Sequence, residues 1–190
     1  MLQNSLNNKL VSGAFTVTSG GHKFRLDTPD SNCYTISDIG QALAKLCRFN
    51  GHTNRFYSVA EHCVHMSKLV PEQYALEALM HDAVEAYIGD FPKPVKVAIP
   101  LISELEDLVM EAIFDQFSLT FPLPEEVHEV DKRMIPTEAP QLLDHYSGKV
   151  WGMEGVKPYA LVLPCWRWEE AHVKFMERYA ELTGDYEKAA

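Results

Sequence analysis

The chain has 190 residues, 46% of them hydrophobic, which is enough to bury one sizeable core but short for two domains. Its 27 acidic residues outnumber the 17 Lys and Arg residues, so the formal net charge is −10. The basic residues are scattered along the chain rather than clustered. Because binding to a phosphate backbone needs a concentrated basic face, this pattern argues against a nucleic-acid polymer as partner.

The first strand signal is an alternation of apolar and polar residues over 14–26, on both sides of a Gly-Gly pair, which predicts a small β-hairpin. A helix with apolar residues on one face is predicted over 38–49. Ser37 or Asp38 is its expected N-cap.

Three helices are predicted next. Ser58 caps a helix over 59–69, and a strongly apolar helix follows over about 72–88, with Gly89 as its C-cap. Apolar residues at i, i+3, i+4 and i+7 predict an amphipathic helix over 101–117, which could serve an interface as well as the core.

The C-terminal third predicts a helix over about 124–143, which Pro136 should interrupt or kink. The segment 146–165 is predicted to be a loop, and 169–182 the last helix. Together these elements predict a mainly α protein.

The predicted organisation is a single domain over 1–190, with a β-hairpin appendage within 1–30 and a helical core over 37–183. The sequence has no internal repeat and no long linker. Its four cysteines form no CxxC pair, which suits a reducing compartment. The N-terminus has no apolar leader, and no window approaches the roughly 20 apolar residues that span a bilayer. We therefore expect a soluble, cytoplasmic protein without a membrane partner.

The stretch ALMHDAVEAYIGDFPKPVK, residues 78–96, places His81, Asp82 and Glu85 in an apolar predicted helix. Residues three or four apart share a helix face, and two adjacent residues can both reach a point between their directions. Burying these groups without partners would cost a few kcal/mol or more. A divalent cation held by His81 and Asp82 would remove most of that cost.

Two further candidate ligands lie on other predicted helices. His62 in SVAEHCVHM and Asp131 in EEVHEVDKRM each fall at helical spacing with apolar residues. A single histidine on an apolar face is more often a hydrogen-bonded core residue, so the ordered set carries the hypothesis rather than any one member. His65, three residues after His62, is a weaker candidate. Mixed nitrogen and oxygen ligands suit Mn, Co, Fe, Ni, Zn or Mg.

The order H…HD…D resembles that of the HD-domain phosphohydrolases, as do RFNGHTNRFYSVAEH upstream and ALMHDAVEAYIGDFPKPVK around the HD pair. The sequence is most similar to the small bacterial and phage branch with 5'-deoxynucleotidases and dATP triphosphohydrolases, over nearly the whole chain. This resemblance implies an HD-domain helical bundle, a deoxynucleotide substrate and a homo-oligomer. It also implies that one metal ion is bound by His62, His81, Asp82 and Asp131.

The same resemblance implies roles for three more residues. Glu85 and Asp90 match carboxylates that act beside the metal, and Arg48 in CRFNGH matches a phosphate-binding arginine. A carboxylate near the metal can orient water and accept its proton, and either Glu85 or Asp90 could take that role. The interval between the two histidines is shorter than in the better-known deoxynucleotidases, so substrate contacts carried by that interval are not transferred.

Three candidate substrate-binding residues lie near these motifs. Lys93 and Lys96 in FPKPVK could hold phosphate oxygens from a loop that two prolines stiffen, or could be solvated surface charges. His52 is a further candidate, as a pocket residue or a structural one.

The expected function is metal-dependent hydrolysis of a 2'-deoxynucleotide by attack of water on the α-phosphorus. The substrate would be a triphosphate, with dATP favoured by the resemblance, or a 5'-monophosphate. Hydrolysis of another signalling nucleotide and a non-catalytic nucleotide-binding role are the alternatives.

Overall fold

The computed structural model describes residues 13–186, which fold mainly as α-helices beside one small β-hairpin. The first part of the predicted appendage, residues 1–12, and the last four residues lie outside this range. Strands β1 (Thr16–Val17) and β2 (Lys23–Phe24) pair antiparallel, with Thr16 opposite Phe24. The predicted mainly α fold with an N-terminal hairpin is confirmed.

Helix α1 (Ile36–Lys45) begins earlier and ends earlier than predicted. Its N-cap is Thr35, whose side chain accepts a hydrogen bond from the Asp38 N–H. Prediction of Ser37 or Asp38 as the cap was wrong, since the Asp38 carboxylate instead binds the hairpin. The chain then leaves helical geometry in the turn Arg48–Gly51, which contains two non-glycine residues at positive φ.

Helix α2 (Val59–Ser67) confirms the helix predicted over 59–69. Its predicted N-cap, Ser58, is confirmed as well, because the Ser58 side chain accepts a hydrogen bond from the Glu61 N–H. All nine of its residues are buried. Helix α2 contacts helix α1 and helix α8 (Trp168–Thr183). The bounds of α8 agree closely with those of the last predicted helix, 169–182. It is therefore the central helix of the core.

The single helix predicted over about 72–88 is instead a short 3₁₀ turn and two helices, α3 (Ala75–Met80) and α4 (Glu85–Ile88). Between the two helices the hydrogen bonds shorten to i→i−3, from the Glu85 N–H to the Asp82 carbonyl for example. Gly89 ends α4 with φ +89°, as its predicted C-cap role requires. The His81-Asp82 pair thus lies in a tightened turn rather than within a regular helix.

The remaining helices are α5 (Lys93–Ala98), α6 (Leu101–Gln116) and α7 (Glu125–Leu142). The segment predicted as a proline-stiffened loop is instead helix α5. Pro92 and Pro94 are compatible with it because they stand at the start of the helix, where their lack of an N–H is tolerated. The predicted interruption at Pro136 does not occur, and helix α7 runs through both Pro136 and Pro140. Residues 146–165 are turns and irregular chain, as predicted.

The main core lies where α1, α2, α3, α6 and α8 meet, and a second cluster joins α2 and α3 to α7. All four cysteines are free thiols. Over residues 13–186, no helix is both long enough and apolar enough to cross a membrane.

Candidate metal centre

Three separate elements bring the four predicted ligands together. Helix α2 supplies His62, the turn after α3 supplies His81 and Asp82, and α7 supplies Asp131. The Nε2 atoms of His62 and His81 are 3.3 Å apart. Asp82 Oδ2 lies 3.1 Å from His81 Nε2, and Asp131 Oδ1 lies 3.3 Å from His62 Nε2. Because the core-facing α2 holds one histidine and the tightened turn the other, the cluster is fixed by the helix packing.

Both imidazoles direct Nε2 towards the cluster because Nδ1 is held elsewhere. His81 Nδ1 lies 2.9 Å from the Ala78 carbonyl oxygen, to which it can only donate. His62 Nδ1 lies 2.6 Å from Oε1 of Glu138. A proton on each Nδ1 leaves each Nε2 lone pair free for a ligand, which is the usual arrangement of metal-binding histidines.

Three of the spacings within this cluster suit pairs of ligands of one divalent cation. Two ligands bound at about 2.1 Å, with bond angles of 90–110°, lie about 3.0–3.4 Å apart. The pairs of His62 with His81, His81 with Asp82, and His62 with Asp131 fall in that range at 3.3, 3.1 and 3.3 Å. A fourth distance, from His62 Nε2 to Asp82 Oδ2, is longer at 3.9 Å and would need a wider ligand–metal–ligand angle. His62, His81 and Asp131 are close enough to bind a metal ion, and so are Cys63, His81 and Asp82.

The charges of the cluster favour ionised aspartates. Burial opposes ionisation of Asp82, but His81, His62 and Arg48 together hold its pKa well below the ordinary value. Burial likewise opposes ionisation of Asp131, and its contact with His62 lowers its pKa. Both aspartates are thus anionic at neutral pH, as metal ligands must be.

Glu85 and Asp90 differ from those aspartates. Burial and the nearby charges of Asp82 and Asp90 raise the pKa of Glu85 well above its usual value. Burial, followed by the charge of Asp82, also raises the pKa of Asp90. Glu85 is 6% exposed, and its Oε2 atom has no hydrogen-bond partner in the part of the chain that the structure describes. These two carboxyl groups are the ones at the cluster whose protonation is easiest to change.

Arg48 reaches the cluster from the turn between α1 and α2. Its Nη1 atom is 3.5 Å from Asp82 Oδ2, and its Nε atom is 3.2 Å from Glu138 Oε2. Arg48 Nε makes no hydrogen bond within the described residues, so its contact with Glu138 is an ion pair. The side chain is 13% exposed, which leaves its guanidinium at the edge of the site.

The other predicted substrate-binding residues are less well placed. Lys96, on α5, forms a 2.7 Å ion pair with Glu106 of α6, so its charge is already matched. Lys93 lies on the exposed side of α5. His52 is exposed after the Arg48–Gly51 turn, and the structure does not bring it to the metal ligands. Nor does it bring His65 there, because that ring packs on Trp166.

Glu138 is the site residue that the sequence interpretation missed. It is fully buried, and Oε1 accepts from the Tyr57 hydroxyl at 2.7 Å as well as contacting His62. A signal was present, since Glu138 follows Asp131 by seven residues, which is two helical turns. The expected break at Pro136 hid that register.

These features define a mainly helical protein in which two buried histidines meet two partly exposed aspartates. No family model matches the sequence. Over 174 residues the chain is 37% identical to the uncharacterized protein YfdR of Escherichia coli (strain K12), which covers 90% of this chain and 96% of YfdR. Over 114 residues it is 37% identical to the uncharacterized protein RCAP_rcc00048 of Rhodobacter capsulatus, covering 55% of this chain and 58% of that protein. The chain belongs to the same family as YfdR.

Proposed function

We propose that the chain is a metal-dependent phosphohydrolase of 2'-deoxynucleotides of the HD-domain type. The observation that supports this most directly is the convergence of His62, His81, Asp82 and Asp131 at spacings that suit one divalent ion. Structural zinc sites close all four positions tetrahedrally. A His2Asp2 set fits an octahedral ion equally well, and two positions would then stay available.

A bound divalent cation supplies a water of lowered pKa and polarises a phosphoryl oxygen. Glu85 and Asp90 are the carboxylates of the site that could orient the attacking water and accept its proton. Glu85 is the better placed of the two, because its buried Oε2 has no hydrogen-bond partner within residues 13–186. Burial and the charges of Asp82 and Asp90 raise the pKa of Glu85, which makes its carboxylate the stronger base.

Arg48 is the residue that would hold the phosphate. Its planar guanidinium can pair with two phosphate oxygens at once. In the described part of the chain, it is the one Lys or Arg side chain in an ion pair with an aspartate of the cluster. A phosphate oxygen on the cation would therefore lie within reach of Arg48.

The charge around the site bears on the length of the phosphate chain. Two other basic residues are engaged elsewhere: Lys96 pairs with Glu106, and Arg133 packs on Tyr159 and donates to the Lys157 carbonyl. This arrangement favours a 5'-monophosphate, which needs fewer cations. The resemblance to dATP-hydrolysing enzymes favours a triphosphate. In both substrates water would attack the same α-phosphorus and break its bond to the 5'-oxygen, so both belong to the proposal.

Product identification tests the proposal. The purified protein is incubated with each dNMP and dNTP in the presence of Mn, Co, Mg, Zn, Fe or Ni. Inorganic phosphate from a dNMP would identify a 5'-deoxynucleotidase, and inorganic triphosphate from dATP a triphosphohydrolase. Turnover of guanosine tetraphosphate or cyclic dinucleotides alone would replace the deoxynucleotide assignment. Stabilisation by metal without turnover of any substrate would indicate a non-catalytic nucleotide-binding protein.

A further inference from the structure

Glu138 occupies an unusual position for a carboxylate. It is 0% exposed, and its two oxygens face different partners. Oε1 contacts His62 Nδ1 at 2.6 Å and accepts from the Tyr57 hydroxyl at 2.7 Å. Oε2 lies 3.2 Å from Arg48 Nε. An isolated buried carboxylate would be strongly destabilising, so this one depends on its cationic and hydrogen-bonding neighbours.

We infer that Glu138 is a positioning residue that holds a metal ligand with one oxygen and the phosphate-binding arginine with the other. The part of this inference that concerns Arg48 rests on the proposed function. The part that concerns His62 rests only on the histidine and aspartate cluster. Glu138 itself does not face the Nε2 atoms and is not a ligand.

The Oε1 contact fixes how His62 presents its ring. The nitrogen that faces Glu138 is Nδ1, so a carboxylate there favours a proton on Nδ1 and a free lone pair on Nε2. A carboxylate partner also makes the ring a stronger electron donor to a metal. Loss of such an outer partner typically lowers metal affinity about 10- to 100-fold.

The Oε2 contact holds the Arg48 guanidinium against the attraction of Asp82. Asp82 lies 3.5 Å from Nη1 and would draw the guanidinium towards the metal ligands. Glu138 holds the Nε side of the same group, so the guanidinium is kept between two carboxylates. Without Glu138, Arg48 would pair more closely with Asp82 and would be less available to phosphate.

The position of Glu138 on α7 links both contacts to a third ligand. Glu138 and Asp131 are seven residues apart and therefore lie on the same face of this helix. The helix is fixed near Glu138 by the side chain of Gln141, which donates to the Leu161 carbonyl and accepts from the Leu163 N–H. One helix face thus positions the ligand Asp131 directly and the ligand His62 through Glu138.

The test compares Glu138→Gln with Glu61→Gln. Glu61 is a matched control because it is also 0% exposed and is adjacent to His62 in sequence, yet its oxygens accept from the backbone N–H groups of Cys165 and Trp166. Binding of Mn and Zn is titrated in each purified variant, and thermal unfolding is recorded. For Glu138→Gln we expect metal affinity to fall about 10- to 100-fold. For Glu61→Gln we expect lower thermal stability with wild-type metal affinity.

A second readout addresses Arg48. Glu138→Gln should raise the KM for the deoxynucleotide about tenfold, as loss of a charge-assisted contact predicts, whereas Glu61→Gln should leave KM unchanged. If Glu138→Gln does not fold, Glu138→Asp is measured instead, because it keeps the charge but withdraws both oxygens from their partners. Wild-type metal affinity in the folded Glu138 variant would overturn the inference while leaving the proposed function intact. Weakened metal binding in a protein that hydrolyses no nucleotide would overturn the proposed function and keep the role of Glu138 towards His62.

Discussion

The chain contains two clusters in which a shielded aspartate meets histidine, and they are satisfied in opposite ways. At the hairpin, Asp38 is 4% exposed, and its carboxylate is surrounded by donors. These donors are the Thr18 hydroxyl (2.8 Å), the Ser19 hydroxyl (2.8 Å), the Gly20 N–H (2.6 Å) and His22 Nδ1 (2.9 Å). The hairpin cluster is therefore complete with protein groups alone.

The candidate metal centre lacks that balance. The two Nε2 atoms face each other and two carboxylates, while both Nδ1 atoms are used elsewhere. The neighbouring carboxylates raise the pKa values of His62 and His81 against the effect of burial, so the cluster favours additional positive charge. The comparison shows that a histidine beside an aspartate does not by itself indicate a metal site. What distinguishes the two clusters is whether hydrogen-bond donors of the protein already satisfy the aspartate oxygens.

Replacement of Asp82 should have the largest effect on metal affinity and phosphate release, and the equivalent change at the hairpin cluster should have none. Asp82→Ala removes the oxygen that lies 3.1 Å from His81 Nε2. We expect metal affinity to fall by more than the roughly 100-fold that follows loss of an outer partner, and metal-dependent phosphate release to be abolished. Metal content by elemental analysis and phosphate release are the measurements.

Asp38→Asn is the matched control for that experiment, since it alters a shielded aspartate beside a histidine in the hairpin cluster. It should keep wild-type metal content and turnover. Retention of both bound metal and phosphate release in Asp82→Ala would show that the cluster is not the active site.

Replacement of Glu85 should have the next largest effect, and it should act on turnover alone. Glu85→Gln removes the proton acceptor but none of the four predicted ligands, so kcat should fall about 10²- to 10⁴-fold while metal affinity stays within about twofold of wild type. Asp90→Asn is measured in parallel and should reduce kcat less, because Glu85 is the more buried of the two and its Oε2 has no hydrogen-bond partner among the described residues. A larger loss in Asp90→Asn would assign the proton acceptor to Asp90.

The sequence predicts the four ligand candidates because each lies on an element whose apolar spacing is strong. His62 and Asp131 share helix faces with core residues, and that register survives errors in helix boundaries. The prediction of a continuous helix through His81 and Asp82 was wrong, but it did not change the choice of ligands. The tightened turn has i→i−3 hydrogen bonds, so the chain still follows a helical path through both residues. Local periodicity was therefore enough to select the candidate residues, whereas their order along the chain and the family resemblance supplied the metal hypothesis.

The features that sequence could not predict depend on partners far along the chain. Lys96 is neutralised by Glu106, which lies on a different helix, and Asp38 serves the hairpin rather than its own helix N-terminus. Glu138 reaches His62 across 76 residues. Helical periodicity carries no information on such pairings, because they arise from how the helices pack.

The hairpin cluster makes a prediction of its own about stability and pH. Burial opposes ionisation of Asp38, but the hydrogen bonds from His22, Ser19 and Thr18 hold its pKa below the ordinary value of 3.8. A carboxyl group whose pKa is lower in the folded state stabilises the fold above its unfolded pKa, and that stability is lost as the pH falls towards the folded pKa. Asp38→Asn should thus lower the free energy of unfolding by about 2–3 kcal/mol at pH 7. In urea titrations the difference from wild type should narrow below about pH 4, and a difference that stays constant from pH 7 to pH 3 would contradict this.

The smallest expected effect comes from removal of a single donor at the hairpin. Ser19→Ala deletes one hydroxyl, 2.8 Å from Asp38 Oδ1, and leaves the Gly20 N–H on the same oxygen. Because that oxygen keeps a donor and the site is partly exposed, we expect a loss of only about 1 kcal/mol in the free energy of unfolding, measured by urea titration at pH 7. Metal affinity should not change. A loss as large as that of Asp38→Asn would mean that the donors act as one cooperative unit, and a change in metal affinity would mean that the two clusters are coupled through α1.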